Sequence, residues 1–230
     1  MVPDPGRKLF ERAGLARDHG RLVQAELLYR KSLALRKHAF GPKHAAVAQS
    51  MNYLANLLSE RGRRQEAEPL YRESLAVRKH ALGPDHRDVA SSLSNLANLL
   101  QETGRHLEAE RCYRQSLKLR KKAYGPCHQN VAMCMANIAI LMQNTGRDAK
   151  AETYFRKALA MLEKSVGPGH KQTAFTKSNL ANFLFLTGRR TEALPLAEEA
   201  FADLRNTLPR RHRYVLWAGR VLRMVQKKLR

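Results

Sequence analysis

Five histidines recur at one interval: His44, His86, His128, His170 and His212 stand 42 residues apart. The first four close a Gly-Pro-x-His turn, at residues 41–44, 83–86, 125–128 and 167–170. Imidazoles at a fixed spacing invite a metal reading. Ligands of one ion must lie about 2 Å from it, whereas equivalent atoms on stacked helical units lie on the order of 10 Å apart. The histidines are therefore expected to cap or pack turns. Cys112, Cys127 and Cys134 form no CxxC pair, and no second pair completes a zinc site around Cys127 and Cys134. They read as reduced thiols. There is no Ser/His/Asp set, no phosphate-binding glycine loop and no paired carboxylates in a cleft, so the sequence predicts no enzyme, no metal and no cofactor.

The other chemistry is charge. Among 230 residues, 42 Lys+Arg face 20 Asp+Glu, a formal net charge of +22. Such an excess favours nucleic acid, an anionic membrane surface or an acidic protein as partner, and says nothing of fold. Hydrophobic residues at 43% suffice for a packed core and argue against a disordered chain. No stretch approaches the ~18 uncharged apolar residues of a membrane span. The opening MVPDPGRKLFERAG lacks the apolar run of a secretory signal, and Asp4, Glu11 and the want of serine make it a poor transit peptide. The expectation is an intracellular, cytoplasmic protein, with an organelle left open.

The elements that position these residues follow from the repeat. Gly-Arg recurs on the same period at 20–21, 62–63, 104–105, 146–147 and 188–189, and Ala-Glu at 25–26, 67–68, 109–110 and 151–152. Within a unit the apolar spacing is helical: Val89, Leu93, Leu96, Ala97 and Leu100 share one face until Gly104 breaks the helix, and Leu107, Ala109, Cys112, Tyr113, Ser116 and Leu117 share the next. Each unit is a helical hairpin, and without strand-like alternation the chain is all-α. Small residues (Ala55, Ala97, Ala139 and Ala181 on first helices; Ala25, Ala67, Ala109, Ala151 and Ala193 on second ones) let helices approach closely. One period beyond Ala181 stands Arg223, too bulky for a further second helix to dock there, so residues 212–229 should be a lone cap.

Asn-Leu-Ala-Asn at 95–98, Gly104-Arg105, Glu108-Ala109-Glu110, Tyr113 and Ser116-Leu117 resemble the tetratricopeptide repeat. The 42-residue period with Leu-Gly-Pro-Asp-His at 82–86 is similar to the kinesin-light-chain type. The resemblance implies a right-handed superhelix, here five helix pairs (about 7–40, 44–82, 86–124, 128–166 and 170–207) plus the cap, a single solenoid over 1–230. First helices would line a concave groove and second helices a convex side. The family's ligand-facing sixth position then holds Tyr53, Asn95, Asn137 and Asn179, and the ninth Asn56, Asn98, Ile140 and Asn182. Such an amide row suits an extended peptide backbone. Met133, Ile140, Phe175, Phe185 and Leu186 would add an apolar patch at the C-terminal end of the groove. No Lys or Arg stands at these positions, so a carboxylate clamp is not expected in the groove.

The basic residues fall elsewhere. Second helices end in Arg36-Lys37, Arg78-Lys79 and Arg120-Lys121-Lys122, and Arg30, Arg72, Arg114 and Arg156 form another row in phase. Leu204 to Arg230 carries nine basic residues and no acidic one, among them Arg223, Lys227, Lys228 and Arg230. Stacking would turn these into one-sign stripes able to meet a polyanion. The sequence reads as a non-enzymatic scaffold: a peptide or helical segment in the groove, an acidic protein on the basic surface. The alternative is a structural subunit of a ribonucleoprotein, for example an organellar ribosome, held by RNA backbone. Aromatics are not interleaved with the basic surface, so base stacking is not expected.

Overall fold

The computed structural model describes residues 3–227. Lys228 and Arg230, and the end of the expected cap, lie outside the described residues. Among the described residues there are eleven α-helices and no strand. They pair as α1 (Arg7–Asp18) with α2 (Leu22–Phe40), α3 (Ala45–Glu60) with α4 (Arg64–Leu82), and α5 (Arg87–Glu102) with α6 (His106–Tyr124). Then come α7 (Gln129–Asn144) with α8 (Asp148–Val166), α9 (Lys171–Leu186) with α10 (Arg190–Thr207), and the unpaired α11 (Arg213–Lys227). The chain divides into two compact units, with the boundary between Leu119 and Arg120 inside α6.

First helices stop where a glycine takes positive φ. After α3, Gly62 (φ 79°) lets its own N–H reach the Ser59 carbonyl while the Arg63 N–H reaches that of Leu58. This pair of bonds satisfies carbonyls that a helix end leaves open. The fifth second helix has no such glycine after it: α10 ends at Leu208 in extended backbone (φ −133°, ψ 152°), followed by Pro209.

In the first unit α2 packs on α3 and α4 on α5; in the second, α8 packs on α9 and α10 on α11. The small-residue rows sit at the contacts: Ala25, Ala67, Ala109, Ala151, Ala193 and Ala55, Ala97, Ala139, Ala181 are all fully buried. Each hairpin alone buries too little to persist, so its stability comes from its neighbours. At the C-terminal end α11 lies on both α9 and α10 through Val215, Ala218, Val221 and Val225. Gly219 makes that fit possible, since a Cβ there would come within 3.0 Å of the Phe201 ring. At the other end Leu15 of α1 is 59% exposed, although the same repeat position is buried as Leu57, Leu99, Leu141 and Phe183.

Candidate functional site

Each in-phase histidine caps the helix that follows it. Nδ1 accepts the backbone N–H two residues on: Ala46 for His44 (3.2 Å), Asp88 for His86 (3.1 Å), Asn130 for His128 (3.1 Å), Gln172 for His170 (3.3 Å) and Tyr214 for His212 (3.2 Å). An imidazole nitrogen thus replaces the usual hydroxyl or carboxylate at the N-cap. Among the described residues no group of three or more His, Cys, Asp or Glu side chains could hold a metal ion. Cys112, Cys127 and Cys134 are free thiols; Cys127 is exposed, and burial pushes the half-buried Cys112 thiol up from its ordinary range.

The expected basic stripe needs correction at several residues. Arg36 and Arg78 are only 2% and 5% exposed. Arg36 extends Nε and Nη2 to Asp4, the shortest contact being 2.7 Å, and Nη1 to the Ala46 carbonyl and Ser50 Oγ. Arg78 repeats the latter pattern one period on, its Nη1 donating to the Asp88 carbonyl (2.9 Å) and Ser92 Oγ (2.9 Å). Each guanidinium staples the end of a second helix to the start of the next first helix. Burial pulls the Arg78 pKa below the ordinary arginine range. Arg120 is half-buried and has a polar partner of its own. Lys37, Lys121 and Lys122 are exposed, Lys79 half-buried, and Arg223 and Lys227 exposed.

The row of Arg30, Arg72, Arg114 and Arg156 is neutralised as well. Each pairs with the glutamate four residues earlier: Glu26 (2.9 Å), Glu68 (2.8 Å), Glu110 (2.7 Å) and Glu152 (2.8 Å). Those glutamates are the Ala-Glu marker, and the Gly-Arg marker supplies a second arginine. Arg63 reaches Glu26 at 2.8 Å, Arg105 reaches Glu68 at 2.5 Å, and Arg189 reaches Glu152 at 2.6 Å. Burial alone would raise Glu26 and Glu68, but the hydrogen bonds from their arginines outweigh it and hold both carboxyls below the usual range. At Glu152 the bonds from Arg189 and Arg156 dominate in the same direction. Within each unit the Ala-Glu and Gly-Arg markers are thus halves of an inter-repeat ion-pair ladder.

The amide row resolves into members of different kinds. Tyr71 donates its hydroxyl to Asn56 Oδ1 (2.6 Å), and Tyr113 donates to Asn98 Oδ1. Burial pushes the Tyr71 phenol up, so it stays a donor. In both asparagines Oδ1 is thus engaged and Nδ2 is the remaining polar group, with Asn98 exposed and Asn56 half-buried. The fourth pair drops both partners together: Ile140 stands for the amide and Phe155 for the phenol. Asn95 spends its Nδ2 on Asn52 Oδ1 (3.1 Å). Asn179 is buried and accepts from Trp217 Nε1 of α11 at 2.9 Å, so it is not a ligand-facing residue. Tyr53 packs edge-on against Phe10, with centroids 4.9 Å apart. Asn137 and Asn182 are half-buried.

The apolar patch is likewise divided. Phe175 stacks on Tyr214 at 4.1 Å, so the cap covers it. Met133, Ile140 and Phe185 are half-buried, while Leu186 is 63% exposed at the end of α9. The residues that close off Asn179 and Phe175, Trp217 and Tyr214, lie 38 and 39 residues further along. Only the amphipathic run of α11 signals them in advance.

A tetratricopeptide repeat family model matches residues 7–80, 54–122, 88–164 and 132–206, overlapping along the chain. No curated protein matches the sequence. Among solved structures, the chain is similar to a putative kinesin light chain of Podosopora anserina with nearly identical TPR-like repeats: 23% identity, TM-score 0.70, covering 90% of this chain and 98% of that one. It is also similar to BtubC (BKLC) of P. vanneervenii, with 22% identity, TM-score 0.69, and 87% and 82% covered. A Rap protein complexed with Competence and Sporulation Factor aligns at 13% identity and TM-score 0.78, over 100% of this chain and 65% of that one. At these identities the likeness is one of fold. No described helix is long and apolar enough to cross a membrane.

Proposed function

The chain belongs to the tetratricopeptide repeat family, whose scaffolds generally mediate protein–protein interactions, and from that premise we propose a non-enzymatic scaffold that grips an extended protein segment by its backbone. The observation that carries this reading is the polarity of Asn56 and Asn98. A buried tyrosine holds each Oδ1, so each amide is left with its N–H groups to offer. Such donors suit backbone carbonyls, which every peptide carries, and leave side-chain selection to neighbouring positions. In the second unit Met133, Ile140, Phe185 and Leu186 would receive an apolar side chain of the same class of ligand, with Asn137 and Asn182 flanking. The Rap protein's bound factor lends the fold a precedent for ligand capture.

The basic surface takes an acidic protein partner, through the exposed cations of its C-terminal helices. Pairing with glutamates withdraws the Arg30 row from acidic protein and RNA backbone alike. The test is to pan a random 12-residue peptide library against the chain and rebind the selected peptides to an Asn56→Ala/Asn98→Ala variant. Peptides that lose tenfold or more in affinity for the variant support the backbone grip. Selection of no peptide, or of peptides indifferent to both substitutions, refutes it.

A further inference from the structure

The Arg30 row of the repeats is paired with glutamates, and where α10 meets α11 a group of arginines lacks such pairing. There a cleft of about 350 Å³ is lined by Phe201, Arg205, Arg210, Val215, Leu216 and Arg223, with no carboxylate among them. It adjoins a second cleft of about 550 Å³ that shares Phe201, Arg205 and Arg210 and reaches Asn206, Gln226 and one carboxylate, Glu198. None of the three arginines has a carboxylate partner among the described residues. Arg205 lies over the Phe201 ring at 5.8 Å. The floor is apolar: Val215 is buried, Phe201 half-buried, and Leu216 is 57% exposed.

Three like charges around one apolar depression repel each other, and an anion seated among them relieves that repulsion. Arginine forks match carboxylate or phosphate equally well, so the floor decides between them. A sugar–phosphate backbone gains nothing from Leu216, and the one aromatic ring in the cleft is half-buried with Arg205 over it, which disfavours base stacking. The geometry points to a docking site for an acidic protein segment in which an aliphatic or aromatic side chain is flanked by Asp or Glu, the side chain seated on Leu216 and the carboxylates on Arg205, Arg210 and Arg223. This deepens the acidic-partner reading by giving it a place and a ligand chemistry, and moves it from second-helix ends to the α10–α11 cleft.

The probe is a fluorescein-labelled peptide, Glu-Glu-Leu-Glu-Asp-Phe-Glu-Glu, followed by anisotropy on the full chain at 50 and 150 mM salt. The variants are Arg205→Gln/Arg223→Gln, Leu216→Ser and Lys37→Gln/Lys79→Gln, each confirmed as folded by its thermal melt. The expected result is binding that weakens tenfold or more in the arginine variant and threefold or more in Leu216→Ser, with the lysine variant little changed. An all-Glu peptide of the same length should bind more weakly than the probe and ignore Leu216→Ser. Loss in the lysine variant alone would overturn the cleft and keep the acidic-partner reading, and no binding by the unaltered chain would overturn both. A single-stranded RNA of 12 nucleotides that displaces the probe and is equally indifferent to Leu216→Ser would overturn the peptide assignment in favour of phosphate.

Discussion

Replacing Arg78 with methionine isolates the inter-repeat staple. Methionine keeps the length and apolar volume of the arginine stem, so packing against α5 is little altered. What disappears is one buried guanidinium nitrogen that donates to the Asp88 carbonyl and Ser92 Oγ, both at 2.9 Å. Each acceptor left without its charged donor costs about 1–3 kcal/mol. Part of this is offset because Arg78, 5% exposed and without a bonded carboxylate, no longer has its charge desolvated. The net expectation is a loss of about 2–4 kcal/mol. For a chain of this size that lowers Tm by roughly 4–16 °C. The control is Lys79→Met at the next residue, expected within about 0.5 kcal/mol. Adding Ser92→Ala to Arg78→Met should recover about 1 kcal/mol, since one stranded acceptor is removed with its donor. Urea unfolding followed by circular dichroism gives all four values. If Arg78→Met behaves like Lys79→Met, the guanidinium is solvated and the staple does not exist.

The ion-pair ladder predicts a pH dependence. The Glu68 carboxyl lies below its usual range in the folded chain, so its contribution is present above the unfolded value of about 4.3 and is lost as pH falls through the folded one. Glu68→Gln should therefore be less stable at pH 7 and show a flatter Tm curve below pH about 4; a curve parallel to the parent's would contradict the ladder. His86→Ala removes an N-cap acceptor and should cost about 0.5–2 kcal/mol, while His86→Asp should restore it; thermal melts distinguish the two. Transplanting the Asn/Tyr pair into the fourth repeat tests its unity. Phe155→Tyr or Ile140→Asn alone should destabilise, and the double variant should recover about 1 kcal/mol relative to their sum; strict additivity would show that the pair does not act as one.

Much of the fold is legible in the sequence because a repeat states its own boundaries. A glycine ends each first helix and a histidine opens the next one. The site is less legible, for a geometric reason. Arg36 and Lys37 are adjacent in one basic run, yet a helix turns about 100° per residue, and Arg36 falls on the stripe of Ala25, Tyr29 and Ser32 that faces the core. That spacing was available in the sequence and outweighs the charge of the run. The glutamate four residues before each arginine of the Arg30 row was equally available. Asn179 is different: its partner Trp217 belongs to a helix with no repeat equivalent, so only the fold brings them together.

The most direct test of the central claim watches the asparagine side chains themselves. With a library-selected peptide at saturation, 15N–1H spectra report each side-chain NH2 separately. The account predicts that the Asn56 and Asn98 resonances shift on binding, while that of Asn179, held by Trp217, stays in place. Movement at Asn179 with Asn56 and Asn98 unmoved would contradict it.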